Sequence, residues 1–226
     1  MKIWKTIAGF FSTRHYLFLL LIYPVFSIWY FVLQQFPLSY HLVECPLDRM
    51  LPFIEWFIIP YVVWYVYIAG ALTVFAFRSR AEFLHLVMFL YIGMGLSLLI
   101  QTIYPTAIAF RPESFDRDNV FVRLVELIYA NDTPTNVFPS IHCYNAIVTH
   151  ITISKFVKDR KGIKAASLLL AVLICLSTVF IKQHSALDAV GAMILVALIY
   201  PLVYCVPWPF FRKKRADDAA IRRIDG

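Results

Sequence analysis

Charge is scarce in this chain. Of its 226 residues only 15% are Asp, Glu, Lys or Arg, whereas 61% are hydrophobic. A water-soluble domain carries about a quarter charged residues, so a soluble class is excluded and a membrane class indicated. Cysteine is also sparse. Cys45, Cys143, Cys175 and Cys205 show neither metal-ligand spacing nor a disulfide framework. Cys175 and Cys205 read as small apolar fillers, and a Cys45–Cys143 bridge is conceivable where both face an oxidising side. Repeats, low-complexity tracts and domain-parting linkers are missing, so 1–226 reads as one integral membrane domain. No cleavable signal peptide is evident. The first apolar run is too long for one and lacks a small-residue cleavage site, so it reads as a retained span.

What the chain has in quantity is apolar runs of spanning length. Six are expected: Tyr16–Phe36, Ile54–Phe77, Phe83–Tyr104, Ile141–Val157, Ile163–Ile181 and Ser185–Val206. The fold class is therefore all-α, a polytopic six-helix membrane bundle. The fourth run is short and carries Asn145, Thr149, His150 and Thr152, so it should face the bundle interior or a water-filled cavity. Of the 21 Lys and Arg residues, sixteen fall before the first span, in 78–80, in 155–164, or after Phe211. Positive residues mark the cytoplasmic side. Both termini are thus expected inside, and the basic tail 212–226, with its RKKR, reads as an orientation signal or anionic-lipid contact. That distribution disfavours a nucleic-acid partner despite the net charge of +7.

The longest connection runs from Pro105 to Pro139. Within it, Val120, Leu124, Leu127 and Ile128 recur at helical spacing, which predicts a short amphipathic helix over 116–130 at the membrane surface. In the first loop, Asp48 and Arg49 read as a local turn with an exposed ion pair.

Three polar clusters then share one side of the membrane: Arg111-Pro112, Pro139-Ser140-Ile141-His142, and His184-Ser-Ala-Leu-Asp188. His184 and Asp188, four apart, share a helix face. A carboxylate on one imidazole nitrogen fixes the tautomer and frees the other as base or nucleophile. The plain alternative is a structural pair at a helix start. Ser140 after a proline suits an N-cap, and the helix start it marks is an anion site. His142 in that first turn is placed to donate a proton, and Arg111 offers a bidentate fork for phosphate. Together these parts fit phosphoryl transfer through a covalent phosphohistidine on His184, with His142 protonating the departing alkoxide. A cysteine-phosphatase loop around Cys143 is rejected, because Thr149 stands where its arginine belongs. A metal held by two His and Asp188 is an alternative that leaves the Arg111 clamp without purpose.

These residues, read as "YPTAIAFRP" (104–112), "FPSIH" (138–142) and "STVFIKQHSALD" (177–188), resemble the three motifs of the type 2 phosphatidic acid phosphatase (PAP2) superfamily. The resemblance extends over about 48–205. It implies a six-span PAP2-like bundle and metal-independent chemistry with no cofactor. His184 is then the nucleophile, Asp188 its partner and His142 the acid, with Arg111 and Ser140 binding phosphate. Tyr104 stands where the first motif has lysine and Thr178 where the third has arginine, and Lys182 is a possible substitute cation. This variant is similar to the branch of sphingomyelin and inositol-phosphorylceramide synthases and their bacterial relatives. That implies a phosphodiester or transferase alternative, since a diester needs fewer cations than a monoester.

The expected activity is hydrolysis of a lipid phosphate or diphosphate at an extracytoplasmic site in the plasma (cell inner) membrane. The alternatives are a headgroup phosphotransferase or phosphodiesterase, and a non-enzymatic lipid transporter or flippase.

Overall fold

The computed structural model describes residues 14–36 and 39–211. The basic tail 212–226 and the basic residues Lys2 and Lys5 lie outside the described residues. The chain is mostly helical. Helix α1 spans His15–Gln35, α3 spans Glu55–Arg78, α4 spans Arg80–Ile103, α7 spans Lys161–Phe180 and α8 spans Ala186–Tyr204. Among the described residues, these five helices are long and apolar enough to cross a membrane. Between them lie the short α2 (Pro46–Met50), α5 (Val120–Asn131) and α6 (Ile141–Phe156).

Helix α6 corresponds to the fourth expected span and has 16 residues. At 1.5 Å per residue it measures about 24 Å, less than the roughly 30 Å hydrocarbon core. It packs against α3, α4, α7 and α8. Surrounded in this way, it has no need of an apolar lipid-facing surface, and Asn145, Thr149 and Thr152 are fully buried inside the bundle. A close approach makes room for it. The ring of Tyr144 occupies the space a Cβ on Gly93 would fill, and its hydroxyl donates to the Phe89 carbonyl at 2.6 Å.

Around this axis Phe75, Phe83, Phe89, Leu90, Val148, Ile174 and Ile199 form the main core. A smaller cluster of Ile58, Tyr61, Val125 and Ile181 closes the end that carries the candidate site. Outward-facing Val66, Leu169 and Leu198 remain exposed, as suits helices that face lipid.

The connections at the site end are ordered. Residues His41–Leu42 (β1) and Thr106–Ala107 (β2) pair in parallel, joining the first and third loops, and Ala107 also bridges Thr135. The expected amphipathic helix is present as α5, started by the Asn119 side chain, which accepts from the N–H groups of Phe121 and Val122. Its Val122 and Val125 are buried while Val120, Leu124 and Leu127 face outward. Only Ile128 of the predicted stripe packs inward, against the smaller cluster. The four cysteines are free, so no Cys45–Cys143 bridge forms.

The Asp48–Arg49 turn differs from expectation. Arg49 pairs with Glu44 at 2.9 Å on the surface, whereas Asp48 is fully buried. The reason is a long-range partner: the Asp48 carboxylate accepts from the Ser185 hydroxyl at 2.6 Å and the Ala186 N–H at 2.8 Å.

Candidate active site

The start of α8 carries the first half of the site. Ser185 caps the helix, accepting from the Leu187 N–H at 3.1 Å. The Asp188 carboxylate accepts from the Ser185 N–H at 3.0 Å and lies 3.1 Å from His184 Nδ1. One carboxylate oxygen therefore closes the capping box and orients the imidazole. That bond puts the proton on Nδ1 and leaves Nε2 of His184 with a lone pair. Burial opposes protonation of His184. The hydrogen bond and charge of Asp188, with Cys143 and Asp132, outweigh it and hold the pKa above the ordinary 6.5.

The start of α6 brings the second half. Ser140 is fully buried; its hydroxyl accepts from the Cys143 N–H at 3.4 Å, and its own N–H donates to the Asp188 carbonyl at 3.2 Å. The serine cap thus ties the two helix starts together. His142, in the first turn of α6, stacks on Tyr61 at 4.7 Å and leans on Trp64 at 4.5 Å between centroids. Its ring centroid is 5.7 Å from that of His184, and its Nε2 is buried without a hydrogen-bond partner. Both imidazoles line one cavity of about 280 Å³, whose walls include Tyr23, Phe26 and Phe31 of α1 and Met94 and Leu98 of α4.

Arg111 reaches this assembly through Gln183, the residue before His184. Its guanidinium donates to the Gln183 side-chain oxygen and, at 2.8 Å, to the Asp132 carbonyl, and it stacks on Tyr129 at 4.1 Å. Burial weakens the hold of Arg111 on its charge, and the facing Tyr129 and Asp132 oppose that effect. Both acceptors are neutral, so an anionic oxygen would compete well for these donors.

The remaining cationic and polar candidates stand elsewhere. Lys182, at a positive φ of 55°, spends its ammonium on the carbonyls of Asp48 and Leu51, both at 2.6 Å. It is engaged in holding the first loop. Tyr104 is half exposed and stacks flat on His41 at 4.1 Å, outside the cavity lining. The Thr178 hydroxyl turns back onto the Cys175 carbonyl at 2.8 Å and touches the Cys143 sulfur at 3.5 Å. Its backbone carbonyl instead accepts from the N–H groups of Gln183 and His184, both at 2.9 Å. Arg111 is therefore the one candidate cation that contacts the residue next to His184, through the Gln183 side chain, although it is not itself part of the cavity wall.

Two carboxylates around the site were given no part in it by the sequence, Asp132 being unremarked and Asp48 read as part of an exposed turn. Asp132 accepts from Tyr30 at 2.5 Å, from Tyr61 at 3.3 Å and from Gln183 at 3.1 Å. Burial opposes the charge of Asp48, yet hydrogen bonds from Ser185, Ala186 and Cys45 hold its carboxyl below the usual range. Among the described residues, no group of three or more His, Cys, Asp or Glu is placed to hold a metal ion.

The segment from just before Arg111 to the end of α8 holds both imidazoles, the orienting carboxylate, the serine cap and the arginine. Residues 109–212 match the PAP2 superfamily model. The match covers just under half of the chain, and it leaves out Asp48, Gln101 and Tyr104. PAP2 proteins generally have phosphatase or phosphotransferase activity. No curated protein and no solved structure matches the chain.

Proposed function

We propose that the chain is a PAP2 enzyme of six spans, α6 being added to the five long helices as the fourth in chain order, that cleaves a lipid phosphate ester through a phosphohistidine on His184. The observation that carries this reading is His184 itself. Its Nδ1 is bound by Asp188 at 3.1 Å, and an unpartnered His142 nitrogen lies across the same cavity. His184 Nε2 attacks phosphorus, Asp188 offsets the positive charge that forms on the ring, and His142 protonates the leaving alkoxide. Arg111 exchanges its neutral acceptors for phosphate oxygens, and Ser140 contributes the capped helix start. Water then resolves the intermediate. The aromatic wall of the cavity suits the apolar part of a lipid. Arg78, Arg80 and the 155–164 loop lie at the opposite end of the bundle, so by the positive-inside rule the site opens outside the cytoplasm.

A second reading, a phosphodiesterase or headgroup phosphotransferase, is favoured by the poverty of cations. Lys182 is spent on two carbonyls and Tyr104 on His41, so Arg111 faces the phosphorus group alone. The testing experiment gives purified protein in detergent a panel of lipid phosphates and headgroup esters, with and without an acceptor lipid, read by mass spectrometry. Release of phosphate from monoesters supports the first reading; headgroup transfer supports the second. Lipid movement in proteoliposomes with no phosphorus product would sink both and support a transporter. Loss of turnover in excess chelator would show a metal requirement.

A further inference from the structure

The cavity has a second polar wall, on Asn136 and Gln101, that phosphate chemistry does not use. These side chains are 2% and 1% exposed and line the same cavity as His142 and His184. Gln101, in the last turn of α4, donates its amide nitrogen to the Pro139 carbonyl at 3.3 Å. That bond sets the amide's orientation and leaves Oε1 buried without a partner. Asn136 sits at a positive φ of 56°, a conformation that asparagine tolerates better than most residues. Thr106 anchors the segment: its hydroxyl accepts from the Phe138 N–H at 3.0 Å and its carbonyl from the Asn136 N–H. Neither Oδ1 nor Nδ2 of Asn136 has a partner. A buried polar atom left without a partner is costly, and a ligand that paired with it would offset that cost.

Two amide oxygens beside a single amide NH2 group make a poor anion site, because the oxygens repel phosphate. They suit a neutral hydroxyl, which gives one hydrogen bond and accepts another. The apolar remainder of the cavity suits a hydrocarbon chain. We propose that Asn136 and Gln101 form a subsite for the hydroxyl of a lipid alcohol, next to His142. The subsite rests on the phosphohistidine reading only for the source of that alcohol. When a donor lipid is cleaved, the O–P bond breaks as the His184 Nε2–P bond forms, and His142 gives its proton to the leaving oxygen. When the group is transferred, the incoming hydroxyl gives its proton to His142. Its oxygen then bonds to phosphorus, and the N–P bond breaks. The same oxygen position serves both directions.

The test is equilibrium binding of radiolabelled dioctanoylglycerol and of its O-methyl ether to full-length His184→Ala protein, which cannot turn over. The alcohol should bind at least about tenfold more tightly than the ether, since a site built to hydrogen-bond a hydroxyl rejects the blocked analogue. Gln101→Met and Asn136→Gly, each added to that background, should cut the preference below about threefold. Unchanged affinity for the ether would show that the variants are folded. Equal binding of alcohol and ether, or a preference that survives the double variant, would overturn the subsite and leave the amides merely hydrated. With active protein, a donor lipid phosphate and dioctanoylglycerol, phosphorylated dioctanoylglycerol marks an accepting alcohol; competitive inhibition without it marks a leaving one. Hydroxyl preference without any phosphorus chemistry would remove the phosphohistidine reading alone, and phosphorus chemistry without the preference would remove the subsite alone.

Discussion

Opposite ends of the bundle each hold a histidine among aromatic rings. His142 lies on Tyr61 and Trp64. His85, in α4, stacks on Phe211 at 3.6 Å and on Tyr204 at 5.4 Å, with Phe156 beside it. The resemblance stops at the nitrogens. His85 Nδ1 is 2.7 Å from the Ala81 carbonyl in its own helix, and its neighbours are rings and Lys155, whose ammonium sits over Tyr204 at 4.6 Å. His142 leaves Nε2 unpaired, in a cavity shared with an imidazole already oriented by a carboxylate. Aromatic packing therefore positions a ring without assigning it a task. The unpaired nitrogen, the enclosed space and the second imidazole make the difference.

The most severe way to break the contrast is to remove the paired rings. His184→Ala and His142→Ala should each lower turnover by about a thousandfold or more, measured on whichever lipid ester the panel identifies. Wild-type rates in both would end the proposed mechanism. A pH profile sharpens it further. Asp188 raises the pKa of His184 above 6.5, and attack needs the neutral ring, so kcat/KM should fall on the acid side through an inflection above pH 6.5. An inflection well below that value would show that the carboxylate does not govern the nucleophile.

Asp48→Asn should act more mildly. An amide cannot accept from the Cys45 N–H, the Ser185 hydroxyl and the Ala186 N–H together, so the start of α8 loses at least one charge-assisted bond. About 1.5–3 kcal/mol of stability should go with it, read as a lower Tm in detergent. Turnover should fall by about tenfold as His184 loses its fixed place. His85→Phe should have the smallest effect, within about twofold in turnover, because it exchanges ring packing and one contact with the Ala81 carbonyl at the end away from the paired imidazoles. A large loss there would mean that the far end takes part in the reaction.

Much of this architecture was legible because helix starts announce themselves. Ser140 after Pro139, and Ser185 with Asp188 three residues on, are capping patterns that depend on neighbouring residues alone. His184 and Asp188 were expected to share a helix face, but His184 precedes the Ser185 cap, so their 3.1 Å contact is made by the Asp188 carboxylate folding back in the capping box. The fourth run betrayed its interior position by its polar residues, of which the structure buries Asn145, Thr149 and Thr152 and leaves His150 partly exposed. Less legible were contacts made across the chain. Asp48 read as an exposed turn because its partners lie more than 130 residues away. Lys182 read as a free cation because nothing nearby in sequence shows that the carbonyls of Asp48 and Leu51 come to it. Asn136 and Gln101 carry no charge and fit no spacing rule; only a positive φ and the packing of α4 turn them toward one space. Gln183 stands next to the catalytic candidate, and adjacency was its one available signal.

The clasp between Asp48 and residues 182–186 also sets an order of construction. A ribosome adds about 5–20 residues per second, so the 134 residues that separate Asp48 from Lys182 take on the order of ten seconds to appear. Until then the buried carboxylate has no serine or helix start to receive it, and Lys182 does not yet exist to gather the loop. The cavity between His142 and His184 thus has to be completed last, when the final helical hairpin docks. A nascent chain halted at residue 180 should leave segment 45–51 open to protease, whereas the finished chain should protect it; equal protection in both would refute this sequence of events.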